Sequence, residues 1–135
     1  MAKSFRFEID AENRILLMRF MEQRLTDESL ADVYAALRQY SIATNPHAVI
    51  GDFSAATQVE LSVDFLQKLA LEEPAVPQAA QRGRIAVFPD DVGFGAVRMF
   101  QMFAGPTRPL LHVVRSLEEA LEALGVESTQ FEPLP

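Results

Sequence analysis

The first forty residues alternate apolar and polar positions twice and then change period. Phe5, Phe7 and Ile9 interleave with Ser4, Arg6, Glu8 and Asp10, the two-residue repeat of a half-buried strand. Asp10-Ala11-Glu12-Asn13 is polar and turn-prone. Arg14 to Met21 then reads as a second strand, with Leu16, Met18 and Phe20 on one face. A connection this short forces an antiparallel hairpin. Leu30, Val33, Tyr34, Leu37 and Tyr40 follow at helical spacing behind Leu25-Thr26-Asp27-Glu28. Thr26 is placed to cap that helix, acids fill its first turn, and Leu25 can staple to Leu30. Asn45-Pro46 ends it.

From there strands and helices alternate. Ala48 to Phe53 is a short apolar strand broken at Asp52, where the strand is expected to reach the sheet rim. Ser54 to Leu61 reads as a loop. Ser62 caps a second helix with a stripe of Phe65, Leu66, Leu69 and Ala70. Pro74, Pro77 and Gly83 mark a long connection, expected to be the most mobile part of the chain. Arg84 to Phe88 is a third apolar strand, stopped by Pro89. Asp90 or Asp91 caps a third helix that runs to about Ala104 and ends at Gly105-Pro106. Leu110 to Val114 is the last strand. Ser116 and Glu119 form a capping box, Leu117, Ala120, Leu121 and Leu124 face inward, and Gly125 ends the helix.

The resulting order is β-β-α-β-α-β-α-β-α. It predicts an α/β domain over residues 1–125 with a mixed five-stranded sheet, an antiparallel hairpin leading into parallel strands. Residues 126–135 have no period and read as a C-terminal tail.

Totals narrow the picture. The chain has 135 residues, enough for one domain that needs no disulfide or metal to fold. It has no cysteine, which removes thiol catalysis and thiolate metal sites. Twelve Lys and Arg against 19 Asp and Glu give a net charge of −7. That balance repels phosphate backbones and anionic lipid, so neither nucleic acid nor a membrane surface is expected as a partner. No signal-peptide core and no run of about 18 apolar residues exists, and a cytoplasmic location is the expectation.

Three stretches resemble a known family. They are Leu25-Thr26-Asp27, then Arg84-Ile85-Ala86-Val87 with Asp90-Asp91-Val92-Gly93-Phe94-Gly95-Ala96-Val97-Arg98-Met99, and Val113-Val114-Arg115-Ser116-Leu117-Glu118-Glu119-Ala120-Leu121. With the element order they resemble the STAS domain of bacterial anti-sigma factor antagonists, in an uncharacterised bacterial branch, to about Gly125. The resemblance implies a STAS-like fold and a regulatory role, without naming a pathway. Regulatory STAS domains take phosphate on a Ser or Thr in an Asp-Ser-Ser-Gly-like stretch at a helix start. The nearest position here is Ser62, in Glu60-Leu61-Ser62-Val63-Asp64, which lacks the preceding Asp, the paired Ser and the Gly. Ser62 is thus the candidate phospho-acceptor, and a plain helix cap is the competing reading.

Spacing offers little catalytic chemistry. His47 and His112 are the two histidines, no metal-ligand spacing joins them, and both read as structural. No Gly-x-Ser-x-Gly elbow is present. Gly93-Phe94-Gly95 is half a dinucleotide fingerprint behind two repelling aspartates, and close helix–sheet packing is the simpler reading. No cofactor, no metal and no enzymatic activity are expected.

Val92 to Ala104 is the oddity. Val92, Phe94, Val97, Met99, Phe100, Met102 and Phe103 leave Arg98 and Gln101 as the strongly polar side chains. A helix apolar nearly all round needs cover on two sides. The candidates are the tail through Phe131 and Leu134, a second copy or protein partner, or a small apolar ligand. A ligand or partner surface at the carboxyl ends of the strands would comprise Asp52, Ser54, Asp90, Asp91, Phe94, Val97, Arg98 and Phe103. Arg98 is the cation of that set and is expected to pair with Asp90 or Asp91. The leading expectation is a non-enzymatic, STAS-like interaction or regulatory module, expected to be a homodimer; the alternative is a protein that binds a small apolar ligand or lipid.

Overall fold

Residues 4–72, 83–104 and 111–135 are described by the computed structural model. The hairpin forms as its alternation dictates. β1 (Phe5–Asp10) and β2 (Ile15–Phe20) pair antiparallel, with Phe7 opposite Met18 and Asp10 opposite Ile15. Asp10 builds the turn: its carboxylate accepts from the Asn13 backbone N–H at 3.1 Å and from Asn13 Nδ2 at 2.8 Å.

Three residues, Arg24–Thr26, form β3 before α1 (Asp27–Thr44). Thr26 caps α1 in a reciprocal box with Ser29, and Asn45 closes it in the left-handed region at φ 46°. Strands and helices then alternate: β4 (Ala48–Asp52), β5 (Gln58–Glu60), α2 (Val63–Glu72), β6 (Gly83–Val87), α3 (Asp91–Ala104), β7 (Leu111–Val114) and α4 (Leu117–Ala123). β8 (Glu132–Pro133) ends the order.

The main sheet is mixed and runs β7-β6-β4-β2-β1-β8. β2, β4, β6 and β7 are parallel, and the hairpin partner β1 is antiparallel, as the sequence predicts. The sheet gains a sixth strand from the tail, since β8 adds antiparallel to β1. The expected loop over 54–61 holds β5, which pairs parallel with β3 in a separate two-stranded ribbon. Two- and three-residue strands are too short to carry a period, so neither was visible as alternation. The proposed long connection over Pro74 and Pro77 and the Gly105-Pro106 stop lie outside the described residues.

Alternation in β2, β4 and β6 splits the core into two layers. Phe7, Leu16, Met18, Val49 and Ala86 face α1, α2 and α3. Ile15, Leu17, Ile50, Ile85 and Val87 face α4 through Ala120 and Leu124. α4 is capped at Ser116, whose hydroxyl accepts from Glu119 N at 3.1 Å. The return half of the expected box differs: Glu119 Oε2 takes the N–H of Arg115, one residue further out. Gly125 leaves the helix at φ 70°, a conformation costly for a side-chain-bearing residue.

The tail does not cover α3. Leu134 packs into the α1-side cluster and Phe131 into the α4-side cluster, so the two straddle the β1 edge at the far end of the sheet from β7. Leu134 N donates to Phe7 O at 2.8 Å and Tyr40 Oη to Pro135 O at 2.5 Å. The reason is the edge itself: β1 presents unpaired backbone groups, and an extended segment satisfies them. Among the described residues no helix is long and apolar enough to cross a membrane.

Candidate functional site

α1, α2 and α3 lie on one face of the sheet and do not fill the space beneath them. A cavity of about 70 Å³ remains between their inner side chains and β2, β4 and β6. Its origin is a coincidence of small residues. Gly51 on β4, Ala86 on β6 and Ala96 on α3 all contribute to its wall. Gly51 is hemmed in on its own account, since an added Cβ would come within 3.0 Å of Phe53.

The walls are apolar and shielded. Met18, Val33, Val49, Leu66, Val97 and Phe100 are all at most 6 % exposed. One end is aromatic: Phe53 and Phe88 stack at 4.9 Å with their planes 4° apart, and Phe20 leans on Phe53 at 5.7 Å. Tyr34 and Phe100, 6.5 Å apart, bring a second aromatic pair. Among the described lining residues Tyr34 and Arg84 are the polar ones, and Arg84 Nη2 lies 3.4 Å from Tyr34 Oη. Arg84 is 4 % exposed, on the same strand face as Ala86 and Phe88. The cavity thus combines a greasy interior with one polar corner.

An empty space of that size is not free. At about 24 cal/mol per Å³, 70 Å³ of unfilled core costs about 1.7 kcal/mol. An apolar guest would recover the lost contacts.

The sequence-predicted positions scatter. Val97 lines the cavity, and Phe103 packs on the α2–α3 seam beside Leu66, Ala70 and Phe100. Asp52 ends β4 on the opposite sheet face, where Oδ2 lies 3.7 Å from Arg19 Nη1 and Oδ1 accepts from Ser54 N at 3.0 Å. Ser54 is exposed. Asp90 accepts from Gly93 N at 3.4 Å, as a cap to α3. Asp91 pairs with Arg115 at 2.5 Å, so the cation it meets comes from the end of β7 and not from Arg98. The Arg115 guanidinium also lies 4.3 Å over the Phe94 ring. Arg98 is exposed, and no described ion pair includes it.

Ser62 lies apart from all of these. Its hydroxyl donates to Asp27 Oδ2 at 2.8 Å and accepts from Phe65 N at 3.1 Å, tying the starts of α1 and α2 together. A phosphate there would displace the Asp27 carboxylate and repel it. Nearby, Arg24 and Glu60 form a bond at 2.6 Å that holds the Glu60 carboxyl below and the Arg24 guanidinium above its usual range. Among the described residues, no group of three or more metal-ligating side chains occurs.

Sequence reasoning counted Tyr34 as part of an apolar stripe and Arg84 as the start of a strand. The available signal was parity: Arg84 shares the face of Ala86 and Phe88, an inward cation in an otherwise apolar run. Compared with known proteins, the chain matches no family model, no curated protein and no solved structure.

Proposed function

We propose that this protein is a non-enzymatic binding module that holds a small apolar molecule between its sheet and the α1–α2–α3 layer. The observation that carries the reading is the 70 Å³ cavity, walled by buried aliphatic and aromatic side chains. Filling it would recover part of the roughly 1.7 kcal/mol that the void costs. Native mass spectrometry of freshly purified protein, followed by a melting series with small hydrocarbons, tests the reading. A bound mass or a raised Tm supports it, and Ala86→Val, which fills the wall, should abolish either. A wild-type protein that carries nothing and melts unchanged under xenon and with the smallest hydrocarbons would refute it.

A second reading, a regulatory interaction module that pairs with another copy, has one observation in its favour. Val92 and Met102 on α3 are 61 % and 76 % exposed, beside half-buried Met99. Light scattering at tens of micromolar tests it: a dimer disrupted by Met102→Lys supports pairing, and a strict monomer removes it. The STAS-like regulatory role belongs with this reading, with Ser62 as its phospho-acceptor.

A further inference from the structure

We infer that residues 130–135 form an exchangeable strand: the β1 edge takes this segment from a second copy of the chain as well as from its own, giving a closed dimer in which each tail completes the other copy's sheet. The exchange is independent of the cavity and of the exposed face of α3.

The first support is how lightly the tail is held. Gln130 N donates to Asp10 Oδ2 at 3.3 Å, Leu134 N to Phe7 O at 2.8 Å, and Tyr40 Oη to Pro135 O at 2.5 Å. Phe131 and Leu134 are half-buried on opposite faces of the sheet, while Glu132, Pro133 and Pro135 are exposed. A strand with so little buried apolar surface opens ahead of the core. A second copy offers the same groups in the same register, so reciprocal exchange gives up none of these contacts.

The connector is the second. Residues 125–131 contain no helix or strand. They lead from α4, which packs on β6 and β7, past β4, β2 and β1 to the outer rim. From β6 to β8 the order gives four strand spacings, about 19 Å. A fully extended stretch of that length spans at most about 25 Å. Its first residues are still bonded back to α4, Gly125 N to Glu122 O and Val126 N to Leu121 O. Hinges with so little slack favour exchange between chains.

The outer rim is the third. Leu134 N faces β1, so by strand alternation the nitrogens of Pro133 and Pro135 face away from it. A proline nitrogen carries no hydrogen, so the tail offers a further strand no donor at those positions. An exchanged tail is therefore a terminal strand, and the sheet does not grow past it.

The chain has no cysteine, so single-cysteine variants report the exchange directly. Ile9 and Glu132 are opposed across β1 and β8. Such pairs have Cα atoms about 5.5 Å apart, a spacing that suits a disulfide. Ile9→Cys and Glu132→Cys chains, mixed in equal amounts at millimolar concentration and treated with oxidised glutathione, should give a mixed disulfide dimer above its statistical share, and the excess should grow with concentration. The Ile9→Cys/Glu132→Cys double variant should close on itself in dilute solution, which checks fold and register together; failure to close overturns the register on which the exchange rests. A mixed dimer at or below the statistical share, while the double variant closes, overturns the exchange. Light scattering of the cysteine-free chain gives a second readout. A short glycine insert after Glu127 lengthens the connector and should lower the dimer share. A share that holds or rises, or a wild-type chain that stays monomeric at millimolar concentration, overturns the inference. A wild-type dimer without the 9–132 link also overturns it and assigns pairing to another surface.

Discussion

Phe88 lies flat against the backbone of Gly93, so that a methyl group at Gly93 would fall within 2.6 Å of Phe88 Cβ and closer still to its ring. This contact sets how near α3 sits to the sheet. It also holds Phe88 in its stack with Phe53, at the aromatic end of the cavity. Gly93→Ala should destabilise the protein by about 1–3 kcal/mol despite the better helix propensity of Ala, because the Phe88 Cβ is anchored to the strand end and cannot swing away. Gly95, two residues on, has nothing within 4 Å of an added Cβ. Gly95→Ala should stabilise by about 0.4–1 kcal/mol. Urea midpoints of the two variants check both signs, and equal effects would remove the packing account.

On the α4 side of the sheet, Arg19 bridges two buried carboxylates. It lies 2.7 Å from Glu8 and 3.7 Å from Asp52, whose side chains are only 7 % and 10 % exposed. Arg19→Met should cost about 1–3 kcal/mol, below the full price of a buried pair because Arg19 is itself part-exposed and Arg6 still reaches Glu8. A double-mutant cycle with Glu8→Gln isolates the coupling. A coupling near zero would mean that water already screens the pair.

The Asp10 carboxyl is almost wholly buried, and burial alone pushes it up. Hydrogen bonds from the Asn13 side chain and from the Asn13, Gln130 and Glu12 backbones outweigh that, and its pKa falls below the usual carboxylate value. A lowered folded value means the unfolded chain binds its proton first as pH drops. The stabilisation is therefore complete above the unfolded Asp value of about 3.9 and is lost as pH falls through the lower folded one. Stability measured at pH 7, 4 and 2.5 should show the gap between wild type and Asp10→Asn shrinking toward the acid end. A constant gap would contradict the assignment.

Leu134 and Tyr40 hold the tail against β1. Leu134→Ala should cost about 1–2 kcal/mol, less than a fully buried leucine, and Tyr40→Phe about 0.5–1.5 kcal/mol. Hydrogen exchange should quicken at the Leu134 amide, which donates to Phe7, before the centre of the sheet responds. Uniform quickening across β2 and β4 would show that the tail is part of the global unfolding unit.

The elements with a period were legible. The alternation of Phe5 to Ile9, the cap at Thr26 and the alternating order after Ala48 all have local causes, and local causes are written in adjacent residues. What was hidden depends on partners far away in the chain. Tyr34 and Arg84 meet across 50 residues, and Asp91 is matched by Arg115, 24 residues on, in place of its helix neighbour Arg98. The apolar character of α3 is legible in its sequence, and three covers fit it there: the tail, a second copy or partner, and a small ligand. Val97 and Phe100 are buried on its inner face, Val92 and Met102 are exposed, and the tail, one of the three, satisfies the β1 edge instead. The cavity had no sequence signature, because it arises where Gly51, Ala86 and Ala96, on three elements, come together.

Because Gln130 closes onto Asp10 across 120 positions, the hairpin's outer border is satisfied only once a segment far away along the chain has come back to it. Until that return the border is bare, and any extended peptide nearby can borrow it. Chains caught before this closure should therefore associate through that border first.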